Sequence, residues 1–186
     1  MGKSTATNML GQMGAATHNA DLCVHRALQP GGAGFEEVAL TFPEAWDKKR
    51  HIIHRPLLGE IVFNDPARKE ELERILHPIV RKDEMRLVRS QKRLGRKAIV
   101  LDIPLLFETG ADQRVDVTIT VSAPYEVQRR RVLKRPGMSE EKFHKILDSQ
   151  MSDGEKRARA DYTVPTHMGL AHTYGLLRAI YQEHVT

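Results

Sequence analysis

Cysteine occurs once, at Cys23, in a chain of 186 residues. That excludes an intramolecular disulfide framework and a zinc site built from clustered cysteines, and it suits a reducing compartment. Aromatic residues make up only 5% and tryptophan occurs once, too few for a platform that stacks successive bases. No apolar run approaches the roughly 20 residues that cross a bilayer, so no membrane partner is expected. The amino terminus lacks the charged segment followed by an apolar stretch that marks a secretory signal, and a cytoplasmic location is expected. The nine histidines form no ligand cluster with supporting Cys, Asp or Glu spacing.

What is present is ordinary globular material with a basic bias. Hydrophobic residues are 40% and charged residues 28%, enough for one domain with a real core. Lys and Arg number 29 against 24 acidic residues, a formal net charge of +5. The excess is concentrated. Arg81, Lys82, Arg86, Arg89, Lys92, Arg93, Arg96 and Lys97 face only Asp83 and Glu84 in residues 81–97, and residues 129–135 read Arg-Arg-Arg-Val-Leu-Lys-Arg. Such clusters attract polyanions, although a solvated helix face accounts for residues 81–97 equally simply and is favoured there. No nucleic-acid-binding signature accompanies them, so phosphorylated small molecules are the expected partners and nucleic acid is not.

Residues 98–101 and the β-branched run 115–121 predict strands, with weaker candidates at 15–18 and 162–164. Helical signals lie between them. One helix runs on from Gly2-Lys3-Ser4. Asp65-Pro66 is an N-cap and first-turn pair, Pro78 is expected to interrupt that helix, and a basic helix follows from 79 to 93. Pro124 and Ser139 open further helices, Ser152-Asp153-Gly154-Glu155 is a capping-box pattern, and residues 170–183 close the chain. Strands alternating with helices predict an α/β fold, a parallel sheet with helices on both faces. Residues 34–93 hold no strong strand and read as a helical insertion after the turn-rich stretch 29–34.

Gly2-Lys3-Ser4-Thr5 matches the end of the phosphate-binding loop G-x-x-x-x-G-K-[ST]. In that loop, backbone N–H groups and a helix N-terminus hold phosphate oxygens, the lysine reaches the β- and γ-phosphates, and the hydroxyl meets Mg2+. The first half of the pattern falls before residue 1. Taken alone, the four residues read more readily as an accidental match in an amino-terminal tail than as a phosphate loop.

Further motifs follow in order. They are Asn19-Ala20-Asp21 with His25 and Pro30-Gly31, then Leu58-Gly59-Glu60-Ile61-Val62-Phe63 and Leu76-His77-Pro78. Leu101-Asp102-Ile103-Pro104-Leu105-Leu106-Phe107-Glu108 comes next, then Val127-Gln128 with Arg131 and Arg135, then Gln150, Lys156 and Ala160-Asp161. As an ordered set these resemble the dephospho-coenzyme A kinase family, a P-loop kinase family, from Gly2 to about Asp161. Three departures stand out. The amino-terminal strand, with a threonine at its end, and the first half of the loop are missing, which makes the chain look short by roughly ten to twelve residues. Asn19 replaces the first aspartate of an Asp-Ala-Asp segment. Pro165-Thr166-His167 stands where many members carry an Asp-Asn pair near the adenine.

The resemblance implies transfer of the γ-phosphoryl of ATP to the ribose 3′-hydroxyl of dephospho-coenzyme A, with Mg2+ as cofactor. It implies Asp21 as general base, with an N-cap role for a helix over 22–28 left open. Lys3 and Arg131 are the other implied catalytic residues. Gly2, Lys3, Ser4, Thr5 and, less directly, Arg135 are implied in ATP binding, with Arg131 and Arg135 four apart on one helix face. His77, Pro78, Leu105, Leu106 and Glu108 are candidates for the coenzyme site, although His77-Pro78 also reads as a turn and Leu105, Leu106 and Phe107 as core. Ser4 is the implied Mg2+ ligand. Asp102, at a strand end, would hold a Mg2+-bound water or cap a helix. The implied organisation is a core of residues 1–33, 95–130 and 159–186, a coenzyme-binding insertion 34–94 and a lid 131–158. A monomer is favoured. The alternatives are another small-molecule P-loop kinase, or a truncated remnant, unstable or weakly active, that binds a phosphorylated ligand without catalysis.

Overall fold

The computed structural model describes residues 2–185. In chain order its elements are α1 (Lys3–Gln12), β1 (Ala16–Asn19), α2 (Ala20–Ala27), α3 (Phe35–Thr41), β2 (Trp46–Asp47), β3 (Ile52–Ile53), α4 (Arg55–Asn64), α5 (Pro66–Arg93), β4 (Ile99–Asp102), β5 (Ile119–Ser122), α6 (Tyr125–Leu133), α7 (Glu140–Asp148), α8 (Asp153–Arg159), β6 (Tyr162–Pro165) and α9 (Leu170–Val185). They form two compact units, one from residues up to 17 together with those from 96 onward, the other from 18 to 95.

In the first unit, Ala6 and Leu10 lie four apart on α1 and turn one stripe inward. Gly14, with φ +106, takes the left-handed conformation that ends the helix. The Ala16 N–H then donates to the Ala98 carbonyl (3.0 Å), which sets β1 beside β4. β5 and β6 run parallel, with Ile119 opposite Tyr162 and Val121 opposite Val164. Val164 and Leu177 are wholly buried, and Val100, Ile119, Val121 and Ile180 pack around them with Ala6, Leu10 and Ala15. The continuous parallel sheet expected from the alternation of elements is not found among the described residues. Each strand is four residues long, and the pairs meet through this shared apolar core rather than through one ladder.

β5 also starts later than its β-branched run. The Asp161 carboxylate accepts from both the N–H and the hydroxyl of Thr118 (2.7 Å each), so the ladder begins only at Ile119. Those two bonds hold the Asp161 carboxyl below its ordinary range. The three expected helix starts are all present. Pro124 precedes α6, the Ser139 hydroxyl caps α7, and Ser152 and Glu155 complete a reciprocal capping box on α8.

In the second unit Phe35, Val38 and Phe42 are completely buried among Leu28, Ile53, Leu58, Ile75 and Leu76. Burying a side chain of this size contributes roughly 1.5–3 kcal/mol. Asp65 caps α5 as expected, accepting from the N–H groups of Ala67 and Arg68. Pro78 does not end that helix. α5 runs unbroken for 28 residues with Pro78 inside it. An internal proline loses one backbone hydrogen bond and crowds the preceding turn. Leu72, Ile75, Leu76 and Ile79, packed on the core from both sides of Pro78, offset that cost. The insertion also contains strand after all. β2 and β3 pair antiparallel, Trp46 opposite Ile53, and Asp47 Oδ1 closes their turn by accepting from the N–H groups of Lys49 and Arg50. Gly32 is required for close approach, because a Cβ there would sit 2.3 Å from the Arg26 carbonyl oxygen and 2.5 Å from that of Ala27. The basic residues from Arg81 to Lys97 are exposed, in line with a solvated face. No helix among the described residues is long and apolar enough to cross a membrane.

Candidate active site

Gly2 sits at the N-terminus of α1 with φ +102, a conformation that favours glycine, and a Cβ there would lie 3.3 Å from Thr166 Cγ2. No side chain caps this helix and no acidic residue lies in its first turn. Its first N–H groups are therefore open to an anion, and the helix dipole favours one. Lys3 makes an ion pair with Asp102. The Asp102 side chain is 1% exposed and that of Lys3 40%. Apart from the Lys3 ammonium at Oδ1, the Asp102 carboxylate has no hydrogen-bond partner among the described residues, and no helix starts there, so the capping alternative does not describe it. Ser4 and Thr5 are exposed beside this pair on the first turn. A hydroxyl and a buried carboxylate whose Oδ2 is unclaimed are hard donors that fit Mg2+ and its bound water.

Arg131, near the end of α6, donates through Nη1 to Thr166 Oγ1 (3.0 Å) and through Nη2 to the Thr166 carbonyl (2.8 Å). Thr166 itself donates from its N–H to the Ser122 carbonyl at the end of β5 (2.8 Å). The guanidinium is thus held at the residue that Gly2 approaches. Thr166 was not assigned any role from sequence, because it stands where this chain departs from its family pattern and nothing local marks it. Arg135 is not on the same helix face as Arg131. α6 ends at Leu133, and a residue before proline, here Pro136, is pushed out of helical conformation. Arg129 pairs with Glu140 across α6 and α7, and that carboxylate raises its pKa.

After β4 the chain turns at Leu105, whose φ of +56 is uncommon for a residue with a side chain. Leu105 and Leu106 are half-buried, and Phe107 is buried beneath the Arg159 guanidinium, 5.0 Å from its ring centre. Glu108 is engaged internally. Its Oε1 meets Lys156 Nζ on α8 at 2.9 Å and accepts from the Met151 N–H at 3.0 Å. Burial pushes this carboxyl up, but the Lys156 hydrogen bond and the nearby backbone N–H groups outweigh it and leave the pKa below its ordinary value.

In the second unit Asp21 lies exposed in the first turn of α2. It is not the cap. That role belongs to Asn19, whose side chain accepts from the Leu22 N–H at 2.9 Å. The substitution within Asn19-Ala20-Asp21 thus has a local function, and Asp21 is left free of it. His25 Nδ1 accepts from Arg55 Nη1 (2.7 Å). His77 and Pro78 are exposed within α5, which removes the turn reading of that pair. Cys23 is buried, as its apolar neighbours imply, and burial together with Asp83 pushes its thiol up. The histidines do contribute to a ligand cluster, contrary to expectation. His18, Cys23 and Asp83 bring three donor atoms within 4.8 Å of one another. Asp83 is 65 residues from His18, so no local spacing could have revealed the group.

The chain's similarities to known proteins span both units. The family model described as dephospho-CoA kinase matches residues 1–171. A dephospho-CoA kinase of Novosphingobium aromaticivorans is 43% identical over 187 residues, covering 98% of this chain and 91% of its own length. One from Rhizobium meliloti is 43% identical over 183 residues, covering 98% and 92%. Among solved structures, a Thermus thermophilus protein superposes with a TM-score of 0.82 at 34% identity, over 98% of this chain and 91% of the other. The dephospho-CoA kinase from Campylobacter jejuni gives 0.71 at 29% identity, over 99% and 92%.

Proposed function

The chain belongs to the dephospho-CoA kinase family, and from that premise we propose how its residues divide the work of an ATP-dependent phosphotransferase. The reaction moves the γ-phosphoryl of ATP to the ribose 3′-hydroxyl of dephospho-coenzyme A and yields coenzyme A and ADP. Little covalent chemistry is asked of the protein in such a transfer, which depends on positioning and on neutralising charge.

Lys3 and the open N–H groups of Gly2, Ser4 and Thr5 hold the phosphates of ATP. The carrying observation is the N-terminus of α1, uncapped, with Lys3 standing over Asp102 and Gly2 against Thr166. Arg131, tethered by Thr166, neutralises charge that builds on the transferring group. Arg135 gives a weaker contact to the nucleotide. Mg2+, bound with ATP, would supply charge neutralisation at the phosphates. Ser4 and Asp102 would hold it, Asp102 through a water. Asp21 accepts the proton of the 3′-hydroxyl as that oxygen bonds to the γ-phosphorus and the bond to the ADP oxygen breaks.

Leu105 and Leu106 form apolar wall of the coenzyme site, with His77 and Pro78 as further contacts. Glu108 acts through the segment it fastens rather than by touching substrate. Residues 34–94 serve as the coenzyme-binding insertion and 131–158 as a lid that excludes water during transfer. The enzyme works as a monomer.

The test is Asp21→Asn. Turnover should fall by roughly 10^2–10^4-fold, the range for a general base, while the affinity for ATP measured by calorimetry stays within about twofold. Parallel loss of ATP binding would make Asp21 a structural residue and remove it from the mechanism.

A further inference from the structure

We propose that His18, Cys23 and Asp83 form a binding site for a thiophilic divalent cation of the Zn2+ class. The three side chains come from the end of β1, from the second turn of α2 and from the middle of α5. His18 and Cys23 are each only 4% exposed, and the Asp83 side chain is 23% exposed. The imidazole and the thiol are therefore buried and the carboxylate is partly open to solvent, which supplies an entry path.

The donors are close enough to converge. Metal–ligand distances near 2.0–2.3 Å separate the donors of a tetrahedral site by roughly 3.3–3.8 Å. Here the three lie within 4.8 Å of one another, and His18 Nε2 already donates to Asp83 Oδ2 at 3.2 Å. Closure needs side-chain rotation of about an ångström rather than a change of fold. The donor set also selects the cation. A thiolate and an imidazole suit Zn2+ or Co2+, whereas Mg2+ prefers oxygen and keeps its water, so the Mg2+ that accompanies ATP does not compete.

Two arginines also meet Asp83. Arg26 Nη2 lies 3.1 Å from Oδ2 and Arg86 Nη2 3.5 Å from Oδ1. Their side chains are 61% and 83% exposed, so either can swing into solvent or share Oδ1 while the metal takes Oδ2. Binding balances as a proton exchange. The Cys23 thiol releases its proton to solvent as sulfur bonds to the metal, and the neutral His18 ring exchanges its Nε2 proton with solvent for one on Nδ1, which frees the Nε2 lone pair for the metal. Nδ1 is buried without an acceptor in the structure. A metal-bound histidine usually has a partner at its second nitrogen. Its absence here points to a reversible site rather than a permanent structural one.

Cobalt chloride alone is the probe, added to the full chain in the presence of excess Mg2+ and without nucleotide. Because Cys23 is the only thiol, a thiolate-to-Co2+ charge-transfer band reports on this site. The expected result is a band that saturates at one Co2+ per chain, is erased by Zn2+, and is lost in Cys23→Ala. Asp83→Asn and His18→Asn should weaken Co2+ binding by at least about tenfold. Asp83→Asn changes a partly exposed group and decides the matter should the buried variants not fold. No charge-transfer band in the folded chain, saturation at one Co2+ per two chains, or undiminished binding in folded Asp83→Asn would each overturn the assignment.

Discussion

Removing Lys3 should cost more stability than removing the charge of its partner. The two halves of the Lys3–Asp102 pair differ in solvation, 40% exposed for Lys3 against 1% for Asp102. Lys3→Ala strands a buried carboxylate with neither counter-charge nor hydrogen-bond donor, and breaking a buried pair in that way costs about 3–5 kcal/mol. The lower end applies, because water reaches the pair from the lysine side. Asp102→Asn leaves an ammonium that solvent can hydrate and a buried amide short of partners, about 1 kcal/mol. The double variant should resemble Asp102→Asn alone, since the stranded charge is gone, so the coupling energy is about 3 kcal/mol. Urea unfolding followed by far-ultraviolet circular dichroism, at pH 7 without nucleotide, measures all four corners of the cycle. On heating, about 3 kcal/mol corresponds to a loss of roughly 6–12 °C in Tm for a chain of this size. Lys3→Ala no more destabilising than Asp102→Asn would refute the reasoning. It would mean that the carboxylate is solvated or has a donor of its own. Both single variants should lose kinase turnover, so stability and activity separate in this experiment.

Glu108→Gln should lower stability by about 1–2 kcal/mol at pH 7, the worth of a charge-assisted hydrogen bond to Lys156. Because the folded pKa of Glu108 is depressed, its contribution is present above the unfolded value near 4.3 and is lost as pH falls through the folded value. Wild-type and variant melting curves should therefore converge in acid, and a constant gap would assign the effect to packing. Arg131→Ala should lower kcat by about 10^2-fold or more while raising KM far less; a pure KM effect would assign Arg131 to ground-state binding. Gly32→Ala should destabilise by about 2–3 kcal/mol or more, since its Cβ meets backbone that cannot yield. Gly175→Ala, in α9 with nothing within 4 Å, should stabilise by up to about 1 kcal/mol. Equal effects in denaturant melts would contradict the packing at Gly32.

Much of the secondary structure was legible because its signals are local. Asp65-Pro66, Ser139 and Ser152 with Glu155 each satisfy backbone N–H groups within a few residues, and each opens the helix it announced. Pro78 misled because its local cost is real but smaller than the apolar packing on both sides of it, and that packing is contributed by distant elements. The short hairpin of β2 and β3 was missed because two-residue strands carry no periodicity. The late start of β5 depends on Asp161, 43 residues away in sequence.

The candidate site divides along the same line. The phosphate-loop residues, Asp21, Asp102 and Arg131 became candidates through the ordered set of motifs and its family resemblance, since four positions at the start of the chain do not by themselves distinguish a phosphate loop from an accidental match. Their partners did not. Lys3 with Asp102, Arg131 with Thr166, Glu108 with Lys156, and His18 with Cys23 and Asp83 join residues far apart in the chain. A local pattern identifies a group that can meet phosphate, metal or base. Which groups share a buried place, and so feel one another's charge without water between them, is settled only when helices and strands pack and bring remote positions within hydrogen-bond distance.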